Sequence, residues 1–520
     1  MAGSDEAVAV IGAGAGGLAS AIALAAAGHP VTVFEAAPGP GGKIRQLSPA
    51  GRPIDTGPTV FTMREVFERL FGLAGLSLDQ AVGLSPMPVL ARHAWQDDRA
   101  FDLPADRAAA HDALGDFFGA REAQGFGRFT ADARRVHDAL RTRFMEADKP
   151  GPLAMGARFG LTGLPDLLAT RPFQTLWDRL GSYFADPRLR QLFGRYATYA
   201  GGSPFLAPST LMLIAHVELE GVWQVTGGMG ALAQAMEAAA RRLGVTFRYG
   251  TRVRRIEAAG GAVQALHLAD GERVPVRRIV ANMDAGAVSS GLLGDQAAFA
   301  VNAPVSRQQR SLSAVTWAVE AQARGFGLAH HTVFFGADYR GEFDTILQQR
   351  RLPQDPTIYI CAQDRHGAVA PDGAERLLLL VNAPADGDLG RPHDEEIEAC
   401  TDRMLAALAR RGLHLSLTAV DRTGPAQLET LFPGTGGAIY GPAPHGPWSP
   451  FRRAGARTRL RGLWLAGGSV HPSAGVPMAV LSGLTCARQL LADRASTSRS
   501  RPVAMAGGIS TPSVTTAASA

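Results

Sequence analysis

Gly12, Gly14 and Gly17 lie between a short apolar run, Ala7 to Ile11, and an alanine-rich helical stretch, Leu18 to Ala27, that ends at Gly28. A second apolar run, Val31-Thr32-Val33-Phe34, follows and ends in an acid, Glu35. Strand, glycine turn, helix, strand and carboxylate in this order are what a dinucleotide fold needs. Gly12 permits the tight turn, Gly14 lets backbone amides approach a pyrophosphate, and Gly17 allows helix and strand to pack closely. The positive end of the helix dipole then faces the phosphates, and the Glu35 carboxylate can accept both hydroxyls of an adenosine ribose.

That pattern does not separate a flavin from a nicotinamide dinucleotide; the next segments do. A nicotinamide domain would continue into another crossover helix, whereas this chain enters Pro38-Gly39-Pro40-Gly41-Gly42-Lys43-Ile44-Arg45 and then Ile54-Asp55-Thr56-Gly57-Pro58-Thr59. Two more glycine turns so close to the first suggest backbone wrapped along an extended cofactor. Gly42, Gly57, Pro58 and the Thr59 hydroxyl would meet pyrophosphate or ribityl oxygens. Lys43 and Arg45 either offset phosphate charge or are solvated surface cations.

Two later segments complete the set. Gly462-Leu463-Trp464-Leu465-Ala466-Gly467-Gly468 reads as a buried strand ending in two glycines, followed by Ser469 to Met478 and a helical run from Ala479 to Ala492. Pro477 suits the first position of that helix. With Val476 and Met478 it would aim the helix N-terminus at the pyrimidine side of a reduced flavin, although an ordinary strand–loop–helix crossover has the same pattern. Gln224 to Gly230, containing Gly227-Gly228-Met229, opens another alanine-rich helix. Strands beyond it carry Val253, either a backbone contact to an adenine edge or a core residue, and Arg278 to Asn282 returns to the sheet.

The elements that hold these residues fit a large chain. At 520 residues it exceeds one domain, and with 46% hydrophobic and 19% charged residues it is not disordered over its length. Sparse charge leaves room for an apolar partner. The net charge of +5 is not gathered into a basic run with interleaved aromatics, so no nucleic-acid partner is expected. Cys361, Cys400 and Cys486 are odd in number and far apart, against a disulfide framework or a cysteine-rich metal site and in favour of a reducing, cytosolic compartment. The N-terminus, MAGSDEAVAVIG, lacks the features of a signal peptide, and no apolar run reaches the roughly 18–20 residues that span a bilayer. Any membrane contact is therefore expected to be peripheral.

Together, the Gly12 turn with Glu35, Gly41-Gly42, Asp55-Thr56-Gly57-Pro58-Thr59, Gly227-Gly228-Met229 and Gly467 to Met478 resemble the carotenoid and phytoene desaturases, within the wider amine-oxidase-like flavoproteins. The resemblance runs from about Ala7 to about Ala492. Gly57 to Arg64, Arg195 to Gly201 and Gly468 to Pro472 are most similar to the members that act on 1-hydroxy- and 1-methoxycarotenoids at C3,4. Ser473 departs from the glycine found there in many desaturases. The resemblance implies bound FAD, hydride transfer to the flavin with loss of a proton, and an apolar carotenoid drawn from lipid at the cytoplasmic face. It leaves open whether oxygen or a quinone is the final acceptor, and the oligomeric state. Two other readings stand beside it. One is a phytoene desaturase or an amine oxidase, although the cysteine that usually tethers FAD in the latter has no counterpart, since Cys486 falls inside the last helix. The other is a non-catalytic prenyl-lipid carrier, which should have lost flavin-facing glycines such as Gly467, Gly468 and Gly475.

The implied fold class is α/β: a Rossmann-like FAD-binding domain of the two-dinucleotide-binding type, with an inserted α+β substrate domain and a helical membrane-facing part. The FAD domain would comprise 1–88, 223–283 and 424–493, and the substrate domain 89–222 and 284–423. Residues 494–520 read as a disordered tail. Phe173, Leu176, Trp177, Leu180 and Phe184, then Leu189, Leu192, Phe193 and Tyr196, recur at helical spacing beside Arg179, Arg188, Arg190 and Arg195. Such helices lie in a membrane interface or face a core. Candidates for the polar end of the substrate are Tyr196, Tyr199 and His216, with Glu218 and Glu220 either sharing one face of a strand or forming a solvated pair. His471, in the loop before the last helix, is the candidate catalytic residue or else a turn residue. No metal-ligand spacing is present.

Overall fold

In the computed structural model, which describes residues 6–97, 99–301, 303–366 and 369–499, strand Val8–Ile11 is the centre of a five-stranded sheet. The order is Leu463–Leu465, Arg278–Ala281, Val8–Ile11, Val31–Phe34, Thr246–Arg248, and all four pairings are parallel. Parallel strands are covered on both faces, which explains their apolar runs. Val8, Val10, Val31, Val33 and Val280 meet helices Ala15–Ala26, Met229–Arg242 and Val476–Arg499. The alternate residues Ala9, Ile11, Ile279, Ala281 and Leu463 meet the antiparallel sheet Val253–Ala259, Ala262–Leu268, Arg273–Pro275. Ser20 fixes the crossing of the first and last helices by donating its hydroxyl to the Gly16 and Gly483 carbonyls.

A seven-stranded mixed sheet forms the second layer system, in the order Leu413–Thr423, Ser313–Gly325, Glu375–Ala383, Ile358–Ala362, His331–Phe334, Val89–Ala94, Ala100–Pro104. The parallel pairing of Val89–Ala94 with His331–Phe334 joins the two chain segments that lack cofactor motifs. Residues just after 283 do not follow the expected division. Helices Ala285–Ser289 and Asp295–Val301 pack Ala285, Val288 and Ala297 on the core of the five-stranded sheet, because they directly follow its strand Arg278–Ala281. At the other end, the last helix continues to Arg499, into the segment read as a tail. The rest of that segment lies outside the described residues.

The aromatic helices face inward. Leu176, Leu180, Phe184, Leu189, Leu192 and Phe193 are each at most 2% exposed, and Trp177 packs against Phe205 at 4.7 Å between ring centres. Arg179 is buried and pairs with Asp132 at 2.6 Å. These helices therefore belong to a hydrophobic core, not to a membrane face, because their apolar stripe has the helix Ala120–Leu140 to pack against. Exposed apolar side chains lie elsewhere: Leu153 and Leu161 are 92% exposed, Leu168 67% and Phe173 74%, the last against the ring of Trp448. No helix among the described residues is long and apolar enough to cross a membrane.

Candidate active site

The glycine turn follows the C-terminal end of the central strand, where open parallel sheets bind ligands. Gly14, extended at the helix N-cap, has no side-chain cap, so the first amides of Ala15–Ala26 are left for a ligand. A Cβ on Gly17 would overlap the carbonyl oxygen of Gly12, and one on Gly12 would stand 2.7 Å from the Asn282 carbonyl oxygen. The second and third glycine turns lie against the first. Gly41 donates its N–H to the Ala13 carbonyl at 2.9 Å, a Cβ on Gly42 would be 3.2 Å from the Gly14 Cα, and one on Gly57 would overlap the Lys43 carbonyl.

Glu35 leaves strand Val31–Phe34 with its carboxylate beside the turn, accepting N–H from Ala13 at 2.6 Å and from Ala37 at 2.8 Å. A carboxylate has about four acceptor positions, so capacity remains for ribose hydroxyls. Val253 is buried with Phe34 in the adjoining core. On the other side, a Cβ on Gly16 would stand 2.9 Å from the Gly467 backbone, while the Gly467 N–H donates to Ser482 at 3.2 Å. Gly468 accepts from the buried Arg453 through its carbonyl. Gly475 is exposed and Val476, Pro477 and Met478 are half-buried, so the first turn of the last helix is open. Glycine-only contacts on three chain segments and an uncapped helix end fit an extended dinucleotide such as FAD.

The two expected phosphate cations both have protein partners. Lys43 donates to the Ile439 carbonyl at 2.5 Å, and burial lowers its pKa against the opposing charge of Asp284. Arg45 donates to the Thr423 hydroxyl at 2.6 Å. Asp55 holds the start of helix Met229–Arg242, accepting from the amides of Met229 at 2.6 Å and Gly230 at 3.1 Å. That explains why the Asp55-Thr56-Gly57 and Gly227-Gly228-Met229 motifs occur together.

Thr59 hydrogen-bonds through its hydroxyl to Tyr359 at 2.6 Å, and Tyr359 to His331 Nδ1 at 2.7 Å. This links the cofactor segments to the large sheet. The guanidinium of Arg195 lies 5.2 Å from the Tyr359 ring centre and 5.3 Å from that of Tyr199, whose hydroxyl accepts from Nη1 at 3.3 Å. Tyr196 donates to Glu218 at 2.7 Å, and both are buried. Burial lifts the Glu218 pKa, opposed by the hydroxyls of Tyr196 and Tyr199. Burial also leads in raising Tyr199, Tyr359 and Tyr440, yet all three keep some accessible surface.

Other candidates are placed differently. Glu218 lies on helix Leu213–Leu219 and not on a strand, so it points inward while Glu220, just past the helix, is exposed and pairs with Arg107 at 3.2 Å. His216 packs against His137 at 4.7 Å between ring centres, with its Nδ1 3.6 Å from Glu220. That environment is helix packing, apart from the tyrosines around Arg195. His471 is buried, and its Nε2 lies 2.9 Å from the Phe144 carbonyl and 3.0 Å from that of Ala147. Burial drops its pKa to about 4. It thereby ties the 141–147 segment to the last loop, a positioning role that competes with the catalytic one. Cys486 is a free thiol, wholly buried and raised to about 12 by that burial, unsuited to a covalent flavin link.

Asn282, Asp284, Arg195 and Tyr359 were not among the sequence candidates. Asn282 had one signal, its place at the end of a strand returning to the sheet.

The model for flavin containing amine oxidoreductases matches residues 15–491. The hydroxyneurosporene desaturase of Rubrivivax gelatinosus is 48% identical over 514 residues, covering 98% of each chain. That of Cereibacter sphaeroides is 46% identical over 498 residues, covering 95% of this chain and 99% of the other. Among solved structures, a triple mutant of putrescine oxidase aligns with TM-score 0.60 at 15% identity, over 94% of this chain and 99% of that one, a likeness of fold.

Proposed function

Because the chain belongs to the flavin containing amine oxidoreductase family and, within it, to the FAD-dependent carotenoid desaturases, we propose that it introduces the C3,4 double bond into 1-hydroxy- or 1-methoxycarotenoids. The observation that carries this choice of substrate is the Thr59–Tyr359 hydrogen bond, which ties the third glycine segment to a cluster of tyrosines around one guanidinium. An apolar polyene with a single oxygen at its end needs walls of that kind and little else that is polar. Bound FAD supplies the two-electron acceptor. The chain's own residues orient the C3–C4 bond, exclude water and hold the polar end; alignment of this sort contributes much of the rate where the cofactor does the chemistry. The open N-terminus of the last helix, with Lys43 and Arg453 nearby in the C-terminal part of the site, favours negative charge there.

A polyene is nearly insoluble in water, so direct transfer from lipid is the economical route. For peripheral contact with the cytoplasmic membrane face, we favour the exposed Leu153, Leu161 and Leu168, carried on two helices that touch each other and the turn between them, together with the exposed Phe173–Trp448 ring pair. The test of substrate is expression in cells accumulating either a 1-hydroxycarotenoid or phytoene. The hydroxylated pigment should gain one double bond at C3,4. Conversion of phytoene with the hydroxylated pigment untouched would favour the phytoene desaturase reading instead.

A further inference from the structure

We infer that Arg195 is the receptor for the oxygen on C1 of the substrate, a specificity residue whose guanidinium is held between the rings of Tyr199 and Tyr359. This rests on the 3,4-desaturase reading. In such a substrate C1 is two bonds from C3, about 2.5 Å away for C–C bonds of about 1.5 Å. Whatever binds the oxygen must therefore stand within a few ångströms of the reacting carbon, and a polar group at the cavity mouth could not serve.

Arg195 satisfies that requirement through two chains of contact. Its ring partner Tyr359 is hydrogen-bonded to Thr59 in the third glycine segment. In the direction of the C-terminal segment, Gly201 closes the turn after helix Arg195–Ala200, and a Cβ there would stand 2.5 Å from the Tyr440 ring. Tyr440 follows Ile439, which accepts from Lys43, and a Cβ on the next residue, Gly441, would be 2.6 Å from the Ser469 side chain. Arg195 is thus bracketed by the two segments that would flank the flavin ring.

Its chemistry also fits. Among the described residues Arg195 has no carboxylate within ion-pair distance and one side-chain hydrogen bond, to Tyr199, although a guanidinium offers five N–H donors. The remaining donors call for an acceptor. Hydroxyl and methoxy oxygens both accept, so a donor receptor takes either, whereas an acceptor such as Glu218 would take the alcohol and refuse the ether. Glu218 is in any case engaged by Tyr196. The other nearby cations are engaged by the protein: Lys43 donates to Ile439 and faces Asp284, and Arg453 donates to the Gly468 and Tyr440 carbonyls.

The test compares wild type, Arg195→Leu and Arg195→Lys as FAD-loaded proteins on three polyenes in the same vesicles: 1-hydroxylated, 1-methoxylated, and identical but without the oxygen. FAD content and Tm are read alongside. Wild type should prefer both oxygenated forms in kcat/KM over the unsubstituted one. Arg195→Leu should lose that preference by about 100-fold, through the oxygenated substrates only, and Arg195→Lys should recover part of it. Retention of the preference by Arg195→Leu with FAD and Tm intact would overturn the assignment. So would a wild type that oxidises the unsubstituted polyene equally well, which leaves desaturation standing. Should Arg195→Leu fail to load FAD, Arg195→Lys decides: discrimination against the unsubstituted polyene unaltered from wild type contradicts the guanidinium of Arg195 as the receptor. A wild type inert towards all three would instead refute the desaturase reading.

Discussion

Asn282 donates its side-chain amide to the carbonyl oxygen of Gly12 at 3.3 Å. The same side chain would meet a Cβ on Gly14 at 2.9 Å, on Gly16 at 2.8 Å and on Gly467 at 2.7 Å, so one amide fills the space between the first glycine turn and the last loop. Replacing it with leucine keeps much of the volume and removes the hydrogen bond. Asn282→Leu should raise the FAD dissociation constant by about tenfold, the equivalent of about 1.4 kcal/mol, as measured by release of flavin fluorescence. Unchanged affinity would mean that the turn holds its shape without Asn282.

Glu35 and Lys43 should differ sharply. The Glu35 carboxylate sits at the first turn, whereas the Lys43 ammonium is directed to Ile439. Glu35→Ala is expected to weaken FAD retention by at least about tenfold and Lys43→Ala by less than about threefold, measured by flavin content after gel filtration. Equal losses would contradict the ribose assignment.

Acid sensitivity follows from His471. Its folded pKa, dropped to about 4 by burial, lies below the ordinary histidine value of 6.5. Between the two the unfolded chain binds a proton that the folded chain does not, so stability falls as pH falls from about 6.5 towards 4, by about 1.4 kcal/mol per unit. His445, lowered to about 4 by burial, acts in the same sense, while Glu342, raised to about 7 by burial, acts oppositely because the folded form keeps its proton. Urea unfolding of wild type and His471→Gln isolates the first contribution. The difference should shift by about 2 kcal/mol in favour of the variant between pH 6.5 and 4.5; a constant difference would show that His471 does not titrate this way.

Lipid contact is testable by flotation with liposomes. Serine at Leu153, Leu161 and Leu168 should reduce the bound fraction severalfold with Tm unchanged, since burial of apolar side chains drives such binding. Alanine at Trp177 and Phe184 should lower Tm and leave flotation of the remaining folded protein alone, because Phe184 is 1% exposed and Trp177 packs on Phe205. The reverse pattern would restore the membrane role to those helices.

What could be read along the chain was what is local in sequence. Gly12, Gly14, Gly17 and Gly467 announce themselves because backbone closeness demands glycine wherever it occurs, and the strand–turn–helix order around them fits in a few dozen residues. The partner of Gly12, Asn282, is 270 positions away, and nothing near it names the glycine it would touch. Arg195 is visible in the sequence as a flanking cation and as the first residue of a family-like segment, but its role comes from Tyr359 on a strand of a different segment. Periodicity placed Leu176, Leu180 and Phe184 on one helix face but not the surface that face meets, and core won over membrane. The two-residue spacing of Glu218 and Glu220 allows a shared strand face or a solvated pair; the helix Leu213–Leu219 turns one inward and leaves the other outside.

The most direct measurement is a single anaerobic turnover of the purified, FAD-loaded protein with a 1-hydroxycarotenoid, following flavin and polyene absorption together. The account predicts that oxidised-flavin absorption disappears as the polyene band moves to longer wavelength, one double bond formed per flavin reduced, with the new bond at C3,4. Flavin that stays oxidised in the presence of the hydroxylated polyene, or a product desaturated elsewhere, would contradict it.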